Sequence, residues 1–161
     1  MSPVTLAWAH AAAVAGAVVA LDQGSKAIVV ASLGYGGSVN VFLGLDVTHV
    51  RNTGIAFGAL AGGGGLIVAL VGAALLLLIA YFARHVRLPF VWLPVGMILG
   101  GALGNLADRA RDGTVIDFID PIAWPAFNVA DIAVVLGVLG IFYVADGPRP
   151  HRRAGRGDAR A

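Results

Sequence analysis

Two neighbouring segments, GTVIDFID (Gly113–Asp120) and FNVADIAVVLG (Phe127–Gly137), decide how this chain folds. The second segment opens a long apolar run and carries Asp131 near its start, whereas the first carries Asp117. The short stretch between them contains Pro121 and can fold back, which would bring the two carboxyl groups together. Ionisable groups beside membrane-length apolar runs are costly and are retained mainly for function, so both aspartates are candidate site residues.

Composition favours a membrane protein. Of the 161 residues, 58% are hydrophobic and only 12% are charged, about half the charge of a typical soluble domain. The absence of cysteine excludes disulfides, thiolate nucleophiles and cysteine-bound zinc. All nine acids are aspartates, and the histidines lack metal-ligand spacing, so no metal or cofactor is expected. The histidines are His10, His49, His85 and His151.

Four apolar segments approach the roughly 20 residues that a helix needs to cross a hydrocarbon core. The first has no Lys or Arg before it, so we interpret it as a retained span rather than a cleaved signal. The fold class predicted is an all-α membrane protein with four transmembrane helices. The predicted spans are Pro3–Leu21, Leu66–Phe82, Phe90–Leu106 and Phe127–Ala145.

The positions of the basic residues predict the orientation. Arg84 and Arg87 lie in a short loop between spans, and five arginines lie after Asp146. Short basic loops stay in the cytoplasm, so both termini are predicted to be cytoplasmic, and no nucleic-acid partner is expected. Residues 1–146 would form one integral membrane domain. Residues 147–161 would be a disordered basic tail that touches membrane lipids.

The outer connections carry further patterns. Alternation across Val39–Val50 predicts a strand with Val41, Leu43, Leu45 and Val47 on one face, in a small outer sheet within residues 36–58. In the third span, Gly96, Gly100 and Gly104 recur every four residues, which favours close helix packing.

The two aspartates have different predicted environments. Asn128 and Asp131 share one face at the start of the last helix, where the helix dipole favours an ionised carboxylate and Asn128 can donate a hydrogen bond to it. Ile116 and Phe118 flank Asp117 and would raise its pKa by excluding water. One ionised and one neutral carboxyl suit general acid–base hydrolysis by an activated water.

Purely structural interpretations compete for several polar residues. Each would be a turn residue or a local ion pair with no chemistry: Asp120 before Pro121, Asp112 before Gly113, Asp108 with Arg109, and Asp22 with Lys26 at i, i+4.

Five motifs together resemble one family, the lipoprotein signal peptidases, also called signal peptidase II. Their order and spacing match the family, and with the spans they cover nearly the whole chain. They are LDQGSK (Leu21–Lys26), RNTGIAFG (Arg51–Gly58), GGALGNLADR (Gly100–Arg109), GTVIDF (Gly113–Phe118) and FNVADIAVVLG (Phe127–Gly137).

The resemblance implies an aspartic endopeptidase of the bacterial inner membrane, with an outer β-cradle and its active site at the outer face. Such enzymes cut prolipoproteins just before a diacylglyceryl-modified lipobox cysteine and are inhibited by globomycin. The implied catalytic pair is Asp117 and Asp131. Residues implied to support the site or contact substrate or globomycin are Asp22, Lys26, Asn52, Gly54, Asn105, Asp108, Arg109 and Asn128.

Two other functions fit the residues alone. A small proton-coupled transporter would use the acids as relay sites, although such sites usually lie near the bilayer midplane and the span centres here carry no acid. A membrane scaffold protein would tolerate replacement of both aspartates by asparagine. The peptidase hypothesis predicts loss of activity from either replacement.

Overall fold

The computed structural model describes residues 1–53 and 64–146. Gly54, the first half of the Gly62–Gly65 run and the predicted tail 147–161 lie outside these residues. Four helices and a three-stranded sheet are present in the described part. In chain order they are α1 (Pro3–Ser32), β1 (Ser38–Phe42), β2 (Leu45–Asn52), α2 (Gly64–His85), α3 (Trp92–Asp112), β3 (Val115–Pro121) and α4 (Val129–Ala145).

Helix α1 is longer than the predicted first span. It runs for 30 residues, through Asp22 and Lys26 to Ser32, instead of ending at Leu21. These polar side chains continue the helix because their charged groups meet partners on α3 and α4, so they need no solvent-facing loop. Asp22 and Lys26 are 0% and 2% exposed. The length of the apolar segment therefore gave too short a prediction for helix α1.

Helix α3 lies between α1 and α4 and packs against both through small residues. A Cβ added to Gly96 or Gly100 would lie 2.7 Å from a backbone carbonyl of α1, at Ala11 or Ala15 respectively. The prediction that these glycines serve close packing is confirmed. Close packing also positions the C-terminal half of α3, where Asn105 and Asp108 lie.

A fourth glycine, Gly101, makes the corresponding contact with α4. A Cβ there would lie 2.4 Å from the Ala130 carbonyl oxygen, so we expect Gly101→Ala to push α4 away and destabilise the protein by about 1–3 kcal/mol. Thermal unfolding in detergent measures the effect. Gly72→Ala on α2 is the matched control, because a Cβ at Gly72 meets nothing within 4 Å. Equal unfolding temperatures for the two variants would contradict this account of α3–α4 packing.

The sheet differs from the single strand predicted over Val39–Val50. The chain turns at Leu43–Gly44, where Gly44 adopts a φ of +80°, and forms an antiparallel hairpin of β1 and β2. Leu43 therefore does not share a strand face with Val47. Strand β3 pairs antiparallel with β2, and Asp120, predicted as a turn residue, is part of β3. Alternation alone did not detect the turn because apolar residues occupy it.

The exposure pattern is inverted relative to a water-soluble protein. Asp22, Lys26 and Asp108 are buried, whereas Leu77 on α2 is 72% exposed and Leu139 on α4 is 59% exposed. Within the described residues, the stretches Pro3–Ser32 and Gly65–His85 are long and apolar enough to cross a membrane, and the 17-residue α4 is a shorter apolar helix. A mostly helical fold with a small sheet and an exposed apolar surface is therefore observed.

Candidate active site

The return from β3 to α4 brings the two candidate carboxyl groups to one place. Phe127 pairs with Ile119, its N–H donating to the Ile119 carbonyl at 3.0 Å and its carbonyl accepting from the Ile119 N–H at 2.9 Å. This pairing folds the chain back on β3, as the sequence predicted. Asn128 follows immediately as the N-cap of α4, so the start of α4 lies beside the middle of β3.

Asp117 is buried in β3 and held by two amides. Its Oδ2 accepts a hydrogen bond from Asn52 Nδ2 at 2.8 Å, and its Oδ1 accepts one from Asn128 Nδ2 at 2.7 Å. The sheet register explains the first contact: Val50 pairs with Asp117, so Asn52, two residues along β2, lies on the same face. Burial raises the pKa of the Asp117 carboxyl, and the nearby Asp131 carboxylate raises it further.

Asp131 lies in the first turn of α4. Its Oδ1 accepts from Asn105 Nδ2 at 2.9 Å, and its Oδ2 accepts from the Asn128 backbone N–H at 3.1 Å. The second contact completes a capping box with Asn128. Two N–H donors and the positive end of the helix dipole therefore surround this carboxylate, and each stabilises negative charge there.

Asn128 joins the two carboxyl groups, although not in the predicted way. Its side-chain amide donates to Asp117 and not to Asp131, while its Oδ1 accepts from the Asp131 backbone N–H at 3.0 Å. The reason is the helix cap. An N-cap side chain must present an acceptor to the first turn, which leaves its NH₂ group to point away from α4 towards β3.

Asn105 on α3 lies behind the pair. Its Nδ2 donates to Asp131, and its Oδ1 accepts from Lys26 Nζ at 3.0 Å and from Asn128 Nδ2 at 3.2 Å. One side chain thus contacts α1 and α4 at once. Its position depends on the close packing of α3 between these helices.

An ion cluster, defined as Asp22, Lys26, Asp108 and Arg111, continues from Asn105 between α1 and α3. Lys26 Nζ lies 2.7 Å from Asp22 Oδ2 and 2.7 Å from Asp108 Oδ2. Arg111 Nη2 lies 3.0 Å from Asp108 Oδ1. Asp22 also reaches α4, because its Oδ1 accepts from the Ala130 N–H at 3.0 Å. The i, i+4 pairing of Asp22 with Lys26 is confirmed.

The proposed pairing of Asp108 with Arg109 is wrong. Asp108 pairs with Lys26 and Arg111, because its side chain faces α1, and Arg111 at i+3 shares that face. Arg109 points elsewhere: its Nη1 donates to the Asn105 carbonyl oxygen at 3.3 Å. With the residues of 1–53 and 64–146 it makes no salt bridge.

Sequence reasoning missed two members of this network. Gln23 Nε2 donates to Asp108 Oδ1 at 2.9 Å and to the Gly104 carbonyl at 3.2 Å, and Arg111 also donates to the Gln23 side-chain oxygen. Gln23 stands inside the LDQGSK motif beside Asp22, and Arg111 is three residues after Asp108. Both could have been selected on those grounds.

Two apolar pockets open on Asp131. One, of about 380 Å³, lies between α2, α3 and α4, and its polar lining comes from Asn105, Arg109 and Asp131. The other, of about 280 Å³, lies between α4 and the β3–α4 connection, and Trp124 and Phe127 line it with Asp131. A carboxylate at the edge of an apolar pocket can contact a polar bond of a substrate whose remaining surface is apolar.

Comparisons with known proteins agree on one family. The sequence profile described as signal peptidase (SPase) II matches residues 14–145. The lipoprotein signal peptidase of Syntrophomonas wolfei subsp. wolfei is 44% identical over 140 residues, which cover 85% of this chain and 94% of that protein. That of Syntrophus aciditrophicus is 42% identical over 144 residues, covering 82% and 88%.

A solved structure is also similar. It is a bacterial membrane enzyme structure obtained by the in meso method at 1.9 Å resolution. It has a TM-score of 0.76 and 32% sequence identity, and the match covers 82% of this chain and 89% of that one. The similarity therefore extends to the arrangement of helices and sheet as well as to the motifs.

Proposed function

Because the chain belongs to the signal peptidase II family, we propose that it hydrolyses diacylglyceryl-modified prolipoproteins with a water activated between Asp117 and Asp131. Family membership makes it a protease of lipoprotein processing and a bacterial membrane enzyme. The transporter alternative is thereby set aside. The observation that carries the proposed site is the double anchoring on Asn128, which holds one carboxyl through its side chain and the other through its backbone.

The two carboxyl groups divide the work of hydrolysis. Asp131 is the carboxylate, because two N–H donors and the helix start favour its charge, and it takes a proton from the attacking water. Asp117 is the acid, because burial and its neighbour raise its pKa, and it donates to the oxygen of the scissile carbonyl. The resulting tetrahedral intermediate collapses when Asp131 gives its new proton to the leaving amine nitrogen and the C–N bond breaks. Asp117 takes back a hydroxyl proton as the carbonyl re-forms, so the pair returns to its starting state.

The residues around the dyad are suited to binding a substrate that carries a lipid. The apolar pockets beside Asp131 suit hydrocarbon, while Arg109 at the rim of the larger pocket provides donors for peptide carbonyls. We place the scissile bond where this pocket meets Asp131. Gly54 and Asn52 belong to the same motif, so the segment after β2 is assigned to substrate contact. Globomycin-type inhibitors would occupy the same space.

The proposed topology has four spans, α1 to α4, within one domain of residues 1–146, followed by the basic tail. Both termini lie in the cytoplasm, so the sheet and the dyad lie at the outer face. Exposed apolar residues at the hairpin tip and in the β3–α4 connection support contact between the sheet and the outer leaflet, since Phe42, Leu43, Ile122 and Trp124 are each at least 69% exposed.

Cysteine labelling tests this topology, because the chain contains no cysteine of its own. We expect a membrane-impermeant maleimide added to spheroplasts to label Ser38→Cys on β1. Asp146→Cys, after α4, should react only once the membrane is broken. Labelling of both positions, or of Asp146→Cys alone, from outside would contradict the four-span orientation.

Purified protein in detergent provides the direct test of activity. We expect it to cleave a diacylglyceryl-modified prolipoprotein before the modified cysteine, to ignore metal chelators and to be inhibited by globomycin. The same prolipoprotein without the lipid is the matched substrate control. A folded protein that leaves the modified substrate intact would contradict the proposed function.

The raised pKa of Asp117 predicts a pH-dependent stability. Its carboxyl binds its proton more tightly in the folded than in the unfolded chain, so its contribution to stability is complete below the unfolded pKa of about 4. That contribution declines as pH rises through the higher folded pKa. Asp117→Asn cannot ionise. We therefore expect the difference in unfolding temperature between Asp117→Asn and the parent to become more positive as pH rises across this window. If the difference is the same at every pH, the pKa of Asp117 is not raised.

A further inference from the structure

The ammonium group of Lys26 lies against three side-chain oxygens, of which Asp22 Oδ2 and Asn105 Oδ1 accept hydrogen bonds and Asp108 Oδ2 forms an ion pair. The two carboxylate oxygens each lie 2.7 Å from Lys26 Nζ, and the Asn105 oxygen lies at 3.0 Å. The side chain of Lys26 is buried, so water does not replace any of them. The first two contacts balance charge. The third connects the ion cluster to a neutral amide that also contacts Asp131.

The charge of Lys26 determines which way the Asn105 amide faces. An ammonium can only donate hydrogen bonds, so the Asn105 atom beside it must be the oxygen. The amide nitrogen then faces Asp131, where it donates at 2.9 Å. In the flipped amide, an NH₂ group would face the ammonium and an oxygen would face the Asp131 carboxylate. Both contacts would be repulsive.

The same constraint passes to Asn128. Because the Asn105 oxygen accepts from Asn128 Nδ2 at 3.2 Å, the Asn128 NH₂ group is held on the side of Asn105 and Asp117. Its oxygen remains at the Asp131 backbone N–H as the helix cap. Lys26 thus determines which way the side-chain amides of Asn105 and Asn128 face. As a result, the NH₂ group of Asn105 donates to Asp131 and that of Asn128 donates to Asp117.

We propose that Lys26 is a positioning residue of the dyad: its ammonium orients the Asn105 amide, and through it Asn128, so that Asp131 and Asp117 each receive a side-chain N–H donor. This rests on the proposed function, because the dyad must be catalytic for its orientation to matter. Within the described residues, Lys26 itself forms no hydrogen bond with either aspartate of the pair.

Arg111, whose side chain is 62% exposed, offers a second cation of the same ion cluster for comparison. It contacts Asp108 and Gln23 but neither Asn105 nor Asn128. If the cluster only ties α1 to α3, removing either cation should weaken folding and leave the acidic limb of the pH profile unchanged. The charge of Lys26 acts on the other limb, because it opposes the rise in the pKa of Asp117 that burial causes. If Lys26 orients the amides, only its removal should alter the catalytic pair.

The first test compares the double variant Lys26→Met/Asp108→Asn with the single variant Asp108→Asn. Relative to the parent, the double variant loses one positive and one negative charge, so its net charge is unchanged. We expect kcat/KM to fall about 10- to 100-fold between them, the size of a lost charge-assisted hydrogen bond, mainly through kcat. The acidic limb of the pH profile should move as well, because the carboxyl pair loses a side-chain N–H donor. Within the described residues, the charged side chains linked to Asp131 through its neighbours or across the larger pocket are Asp22 and Lys26 from α1, Asp108 and Arg109 from α3, and Asp117 from β3.

Chemical rescue provides the second test. Lys26→Cys introduces a single cysteine into the chain, and alkylation of the unfolded variant with 2-bromoethylamine restores an ammonium at nearly the native length. Alkylation with bromopropane gives a neutral side chain of similar size. We expect the ammonium adduct, but not the neutral one, to recover the parent's acidic limb after refolding. Arg111→Gln should keep that limb.

Other results of these experiments would contradict the positioning role of Lys26. It is overturned if the two adducts share one pH profile, or if Arg111→Gln moves the acidic limb as far as the loss of Lys26 does. A neutral adduct that is less stable but retains the parent's profile assigns Lys26 a structural role only. Failure of the parent itself to cleave the lipid-modified substrate would instead reject the proposed function.

Discussion

Replacement of either Asp117 or Asp131 by asparagine is expected to reduce kcat/KM for the lipid-modified prolipoprotein by more than about 1,000-fold, because in the proposed mechanism the two carboxyl groups act as one unit. The amide of Asp131→Asn could not take a proton from water, and the amide of Asp117→Asn could not supply one to the carbonyl oxygen. The double variant should be no worse than either single variant. Initial rates of substrate cleavage in detergent measure all three.

Matched controls come from the same elements. Asp120→Asn changes a carboxyl three residues along β3, and Asp112→Asn changes the last residue of α3; both should cleave at the parental rate. If the Asp117 and Asp131 variants fold and cleave as well as these controls, the pair is not catalytic, and a scaffold role or another aspartate must explain the site. Retained activity in only one of the two variants would exclude a shared water.

Asn128 is expected to have the next largest effect, and its two tasks can be separated. Asn128→Ala removes both the helix cap, at a cost of about 0.5–2 kcal/mol in stability, and the donor to Asp117. Asn128→Ser keeps a capping oxygen but loses the NH₂ group that reaches Asp117 and Asn105. We therefore expect both variants to lose about 10- to 100-fold in kcat/KM, while only the alanine variant loses the stability of the cap.

Thermal unfolding and cleavage measured on the same preparations resolve the two effects. Asn128→Asp is a useful third variant, since it keeps a capping acceptor and places a third carboxylate against Asp117. It should be the least active of the three at neutral pH. If Asn128→Ser instead cleaves at the parental rate, the contact between Asn128 and Asp117 only supports the fold.

Several parts of the site could be predicted because they depend on neighbours in sequence. Asn128 and Asp131 are three residues apart at the start of an apolar run, which is enough to place a capped helix start there. Asp22 and Lys26 are one helical turn apart and pair as expected. The fold-back between β3 and α4 follows from the short connection with its prolines. Burial of Asp117 followed from its apolar flanks.

Other parts depended on residues far apart in the chain. The first helix continues past Leu21 because Asp108 and Ala130 satisfy its polar side chains, and no local pattern reveals partners so distant in sequence. The hairpin turn at Gly44 was hidden because apolar residues surround it on the exposed sheet.

Motifs and local spacing are enough to select most candidate site residues, namely the two aspartates, their asparagines and the lysine, although they did not select Gln23 or Arg111. Which atom faces which follows from the packing of the helices and the sheet. The Asn128 amide serves Asp117 instead of Asp131, and Asp108 pairs with Lys26 instead of Arg109, because an amide or carboxylate turns towards whatever donors and acceptors neighbouring helices present. Those neighbours come from α1, α3 and β3 together, and their meeting is a property of packing, which local sequence spacing does not encode.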